Sequence, residues 1–97
     1  MSNPNFITDT SSVPEGVDPV LGQQRNLIIE RGRSMPHEAE RALGELAALY
    51  WDHSDTASDE TRFFLADARI DYAIEAGIDS ARASEIWQSG RKDLEEG

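Results

Sequence analysis

The 97-residue chain is expected to be all-α, a compact bundle of three to four helices with a flexible N-terminal tail. Three observations lead to this. Beyond residue 17 apolar residues recur at threes and fours, the period of a helix. Alternation with period two, which a half-buried strand requires, is nowhere sustained. Pro, Gly and Asp/Ser clusters punctuate the periodic segments, as short helix–helix connections do. One domain is implied, residues 18–97, behind a tail of residues 1–17 rich in Asn, Thr, Ser, Pro and Gly. In that tail only Phe6 and Ile7 are candidates to dock on the body.

The first helix should start at Asp18-Pro19, an N-cap followed by proline at the first helical position. Val20, Leu21, Leu27 and Ile28 form its apolar face, and Gly32 is expected to stop it just after Arg31. Ser34 with Pro36 should open the second helix, whose Ala39, Ala42, Leu43, Leu46, Leu49 and Tyr50 keep helical spacing. Its small residues Ala39, Ala42, Gly44, Ala47 and Ala48 allow close approach by a neighbour. After the loop "DHSDTASDE", Ser58 is the expected cap of a third helix, with Asp59 and Glu60 in its first turn. Phe63, Ala66, Ile70 and Ala73 make one stripe on it and Phe64, Ala68 and Tyr72 a second, giving the wide apolar face of a core helix. Gly77 should end it. A last helix begins after Asp79 or Ser80, buries Ala83, Ile86 and Trp87, and is expected to break or fray at Gly90.

Charge is the strongest global property. The net charge is −10, of which residues 1–50 carry −3 and residues 51–97 carry −7. Such a field repels phosphate backbones and favours basic partners. The absence of cysteine excludes disulfides, thiolate metal sites and thiol nucleophiles. The first twenty residues lack the basic and apolar regions of a signal peptide, and "LAALYW" is far short of a membrane span. The expectation is a cytoplasmic protein without membrane attachment.

Tyr72–Ile78, followed by Ala83 and Ile86, resembles the spacing of bacterial helix-turn-helix motifs: a small residue, a turn glycine four residues on, then apolar residues that pack a second helix back. The resemblance covers about twenty residues and implies a corner of two helices, with DNA reading over residues 72–87 as one functional alternative. Base readout needs Arg, Lys, Asn or Gln on the second helix. The exposed positions here are Asp79, Ser80, Ala81, Ser84 and Glu85, with Arg82 the lone cation nearby, so direct nucleic-acid binding is not expected.

No enzyme motif survives inspection. "HEAER" at 37–41 opens like a zinc-protease pattern, but Arg41 stands where the second histidine ligand belongs. The 52–60 loop spaces acids and hydroxyls as calcium loops do, yet has Ala57 at the central glycine and Phe63 at the bidentate glutamate. His53 has acids and hydroxyls beside it in sequence, which is not the convergence a catalytic triad needs. No catalytic residue, metal ligand or cofactor is expected.

The remaining signal is acidic. Asp67, Asp71 and Glu75 fall at i, i+4, i+8 and form a ridge on one helical face, with Asp59 and Glu60 about two turns before it. Together with Trp51, an aromatic interface anchor favoured over Tyr50, these residues are the candidate partner-binding set. The favoured function is a non-enzymatic protein that binds another protein, as an inhibitor presenting a nucleic-acid-like acidic surface of the kind suited to phage or plasmid accessory proteins. The expected partner carries a basic nucleic-acid-binding surface. A homo-oligomeric scaffold, assembled through the small-residue face of the second helix, is the third reading.

Overall fold

The computed structural model describes residues 13–96, the side chains of 92–96 excepted. Four α-helices, α1 (Pro19–Ser34), α2 (Ala39–His53), α3 (Asp59–Ala76) and α4 (Ser80–Glu96), follow one another, with a 3-10 turn at Pro36–Glu38 leading into α2. Among the described residues there is no strand, and no helix is long and apolar enough to cross a membrane.

The caps read from sequence form as expected. Asp18 Oδ1 accepts from the Val20 and Leu21 N–H groups at 2.9 and 3.4 Å, satisfying two orphan donors of α1. Ser58 Oγ accepts from Thr61 N–H and opens α3. At its other end Gly77 is left-handed (φ 78°): its N–H bonds the Ile74 carbonyl at 3.1 Å and the Ile78 N–H bonds Ala73 at 2.8 Å. This double bond pattern is a Schellman stop, and it explains the glycine without any ligand. Asp79 Oδ2 then accepts from Ala81 N–H and starts α4.

The central element is α2, which packs on each of the other three helices. Its Leu43 and Leu46 share one core with Ile29 of α1, Ala68 and Tyr72 of α3, and Trp87 of α4. A smaller cluster of Leu21, Leu49 and Leu65 closes the end near the chain entry. There residues 13–17 lie against the body: Val17 is buried, and the Asp18 N–H donates to Thr61 Oγ1 at 2.9 Å. Phe6 and Ile7 lie outside the described residues.

Two glycines expected to stop helices instead sit inside them. α1 runs past Gly32 to Ser34, so Ser34 closes α1 rather than opening α2. Gly32 is buried, and a Cβ there would overlap the Tyr72 hydroxyl and lie 2.9 Å from Tyr72 Cζ. Gly90 does not break α4, because it lets that helix lie on α2: a Cβ at 90 would be 3.0 Å from Ala47 Cβ. Of the small residues on α2, Ala39, Ala42 and Ala47 are buried in the core of the chain, Gly44 is half-buried and Ala48 is exposed.

Tyr72 is 1% exposed, and its hydroxyl is buried without a hydrogen-bond partner among the described residues. Burial pushes its phenol pKa up, so the group stays neutral and orphaned. Removing the hydroxyl while keeping the ring should therefore be near neutral or mildly stabilising. Gly32→Ala should cost about 1–3 kcal/mol by overpacking. That cost is expected to shrink in a Tyr72→Phe background, where the overlapping oxygen is gone. Urea denaturation of the two single variants and the double variant measures the coupling.

Candidate functional site

The acids of α3 divide between two uses. On the buried side, Thr61, Leu65, Ala68 and Tyr72 recur at i, i+4, i+7, i+11 and face α2. To one flank lies α1, whose Arg25 and Arg33 meet α3. Arg25 is only 2% exposed. Its Nε donates to the Phe64 carbonyl at 3.1 Å and its Nη1 to Asn26 Oδ1 at 2.8 Å, while the guanidinium sits 4.0 Å above the Phe64 ring centroid. Burial lowers its pKa, and Asp67 and Asp71 pull in the opposite direction. Two turns along, Arg33 grips Glu75 with both Nε and Nη2, the latter at 2.9 Å from Oε1. That hydrogen bonding raises the Arg33 pKa above its ordinary value.

The ridge anticipated from the i, i+4, i+8 spacing therefore exists, and its C-terminal part serves the α1–α3 contact. Glu75 is tied to Arg33. Asp71 is half-buried, and its pKa is raised first by burial and then by Asp67, with Arg25 opposing. Asp67 is exposed and makes no salt bridge or hydrogen bond among the described residues. Asp59 pairs with Arg62 in the first turn, and Glu60 lies exposed beside Gly16.

The face of α3 opposite the core was not legible as such. Phe63, Ile70 and Ile74 are 69%, 52% and 64% exposed, too open for the core stripe expected of Phe63 and Ile70. The helix has more apolar positions than α2 can cover, and the stripe through Leu65, Ala68 and Tyr72 is the one that α2 covers. Phe63, Asp67, Ile70 and Ile74 fall at i, i+4, i+7, i+11, so they form one outward strip of three large apolar side chains around a carboxylate. Asp59 and Glu60 stand one turn before Phe63 on the same side. The strip continues into a groove of about 260 Å³ between α3 and α4, lined by Ile70, Ala73, Ile74, Ile78 and Ala83 with Arg69 and two serines at its edge. Scattered apolar residues are ordinary on surfaces, but a contiguous strip is the mark of an interaction site.

The other candidates lie elsewhere. Trp51 is half-buried at the end of α2, where its Nε1–H donates to the Trp87 carbonyl at 2.9 Å and its ring meets Tyr50 edge-on. Tyr50 is half-buried too, packing on Trp87. Trp51 thus joins α2 to α4 and is apart from the α3 strip. His53 Nδ1 lies 3.0 Å from the Leu49 carbonyl, while His37 is exposed beside Glu38. Among the described residues no three His, Cys, Asp or Glu side chains converge as metal ligands. On α4, the lone cation of the helix-turn-helix segment, Arg82, is held by Glu40 at 3.0 Å and Glu85 at 2.9 Å.

Comparison with protein-family models, curated proteins and solved structures finds no match to this chain.

Glu75→Gln removes one half of a partly exposed bidentate pair and should cost about 0.5–1 kcal/mol, less at high salt. Asp71 should behave in the opposite way. Its folded-state pKa is raised, so its ionisation disfavours the folded state at neutral pH, and the penalty fades as pH falls through the carboxylate range. Asp71→Asn is therefore expected to be slightly more stable than the parent at pH 7. That advantage should vanish at pH 3, as followed by urea midpoints across pH.

Proposed function

We propose that this chain is a non-enzymatic protein-binding module that offers the outward face of α3 to a basic surface on another protein. The observation that carries this reading is the exposure of Phe63, Ile70 and Ile74 on one strip with Asp67, beside Asp59 and Glu60. Large apolar side chains supply the desolvation that holds an interface together, and surrounding carboxylates steer and select a partner of opposite charge. The net charge of −10 adds long-range attraction for basic proteins. When the partner's basic surface is one that grips nucleic acid, occupancy by this chain blocks it, and the module acts as an inhibitor. Among the described residues Asp67 and Glu60 are exposed and outside the ion pairs of α3, and they carry this role together with Asp59, which pairs locally with Arg62, whereas Glu75 is gripped by Arg33 of α1.

A helix-turn-helix regulator is the second reading, because Gly77 does turn the chain from α3 into α4. Against it, the ion pairs of Arg82 to Glu40 and Glu85 leave acids and small residues at the start of α4. Labelled duplex DNA should show no anisotropy change at low salt. Salt-sensitive binding that Arg82→Ala abolishes would favour the regulator instead.

The main test is affinity capture with two baits, the parent chain and a variant carrying Asp59→Asn, Glu60→Gln and Asp67→Asn. Basic proteins retained by the parent should be lost from the variant and should elute with rising salt. An identical set on both baits would contradict a role for these carboxylates.

A further inference from the structure

The α3 strip and the groove beside it also define the shape of what binds. Resting on the protein-binding reading above, we infer that the face takes a basic amphipathic helix of the partner, with an aliphatic or aromatic side chain seated between Ile70 and Ile74 of α3 and Ile78 and Ala83 before and on α4.

Three features of the face select that occupant. The apolar residues Phe63, Ile70 and Ile74 are spaced seven and four residues apart, so they extend over ~16 Å along the α3 axis. A second helix laid alongside presents its own apolar stripe with the same period, which a loop or a flat sheet does not. The groove of about 260 Å³ between α3 and α4 is lined mainly by apolar residues, Ile70, Ala73, Ile74, Ile78 and Ala83, and has room for a single large side chain. The charge beside the strip is mainly acidic. Asp67 stands within the strip and Glu60 at its end next to Asp59, which pairs with Arg62, while Arg69 lies at the groove's edge; lysines or arginines flanking the partner's apolar stripe meet carboxylates at both places.

The same charges argue against a second copy of this chain as occupant. A two-fold pairing of α3 with its symmetry mate about the strip's centre would bring the two Asp67 carboxylates into one desolvated interface, within a pair of molecules that each carry −10.

The test uses the full chain and three synthetic helical peptides of about 18 residues, long enough to cover the strip. The first carries leucines at i, i+4, i+7 and i+11 with lysines on either side. The second replaces the leucines with alanine, and the third replaces the lysines with glutamate. Binding is followed by calorimetry against the parent, against Ile70→Ala/Ile74→Ala and against Asp67→Asn. Both variants change exposed positions, and circular dichroism confirms that they stay folded.

The first peptide should bind the parent and bind the Ile70→Ala/Ile74→Ala variant ~10-fold or more weakly, with a several-fold loss for Asp67→Asn. The glutamate peptide should not bind. Equal binding by the alanine peptide, or no effect of the double alanine variant, would overturn the helix-in-groove inference while leaving the acidic protein-binding reading intact. No binding of either lysine peptide up to ~1 mM would overturn the inference as well, and the two-bait capture then decides the broader reading separately. A parent dimer in sedimentation that the double alanine variant dissolves would mean that a second copy occupies the face, and would overturn it too.

Discussion

Burying Arg25 between α1 and α3 constrains everything around it. A guanidinium cannot leave water without acceptors for its N–H groups and counter-charge nearby, because an uncompensated buried cation costs several kcal/mol. Arg25 meets this with the Phe64 carbonyl, the Asn26 side chain, the face of the Phe64 ring, and the field of Asp67 and Asp71. Once it is seated, the rotation of α3 about its axis is set. Phe64 must lie against α1, which turns Leu65, Ala68 and Tyr72 toward α2 and leaves Phe63, Ile70 and Ile74 outside. Arg33 and Glu75 repeat the same contact two turns further on and fix the register. The Tyr72 ring against Gly32 then locks the two helices at close range.

That rotation explains how one helix carries both a structural and an outward-facing set of acids. Glu75 and Asp71 answer arginines of α1, whereas Asp67, Asp59 and Glu60 are exposed on the outward side, with Asp67 adding to the field at Arg25 and Asp59 pairing with Arg62. A solvated acidic face has no reason to expose Phe63, Ile70 and Ile74 together, since each open apolar side chain forgoes burial of roughly 1.5–3 kcal/mol. Their exposure on one strip, beside a groove, is what a docking surface requires.

Much of this was readable in the residues themselves. Asp18-Pro19, Ser58 and Gly77 act through bonds to groups two to five residues away, so local chemistry was enough to place those boundaries. Gly32 and Gly90 depart from the sequence expectation because glycine serves two ends, a left-handed stop or a close helix crossing, and the choice rests on Tyr72 and Ala47, which are remote in sequence. The i, i+4, i+8 spacing located the acidic ridge, but nothing local reveals that Arg25 and Arg33, on another helix, face part of it. The outward strip was hidden for a related reason. α3 is apolar over a wide arc, and which side of that arc is buried depends on where α1 and α2 sit.

The measurement that tests the central claim most directly is a map of amide chemical shifts in the isotope-labelled chain, titrated with a basic partner recovered by capture. The account predicts saturable shifts concentrated at Phe63, Asp67, Ile70, Ile74 and Ile78, with the Arg25 and Arg33 contacts of α1 undisturbed. Shifts centred instead on the start of α4 around Arg82, or on the α1–α2 side around Arg31 and Glu45, would contradict it.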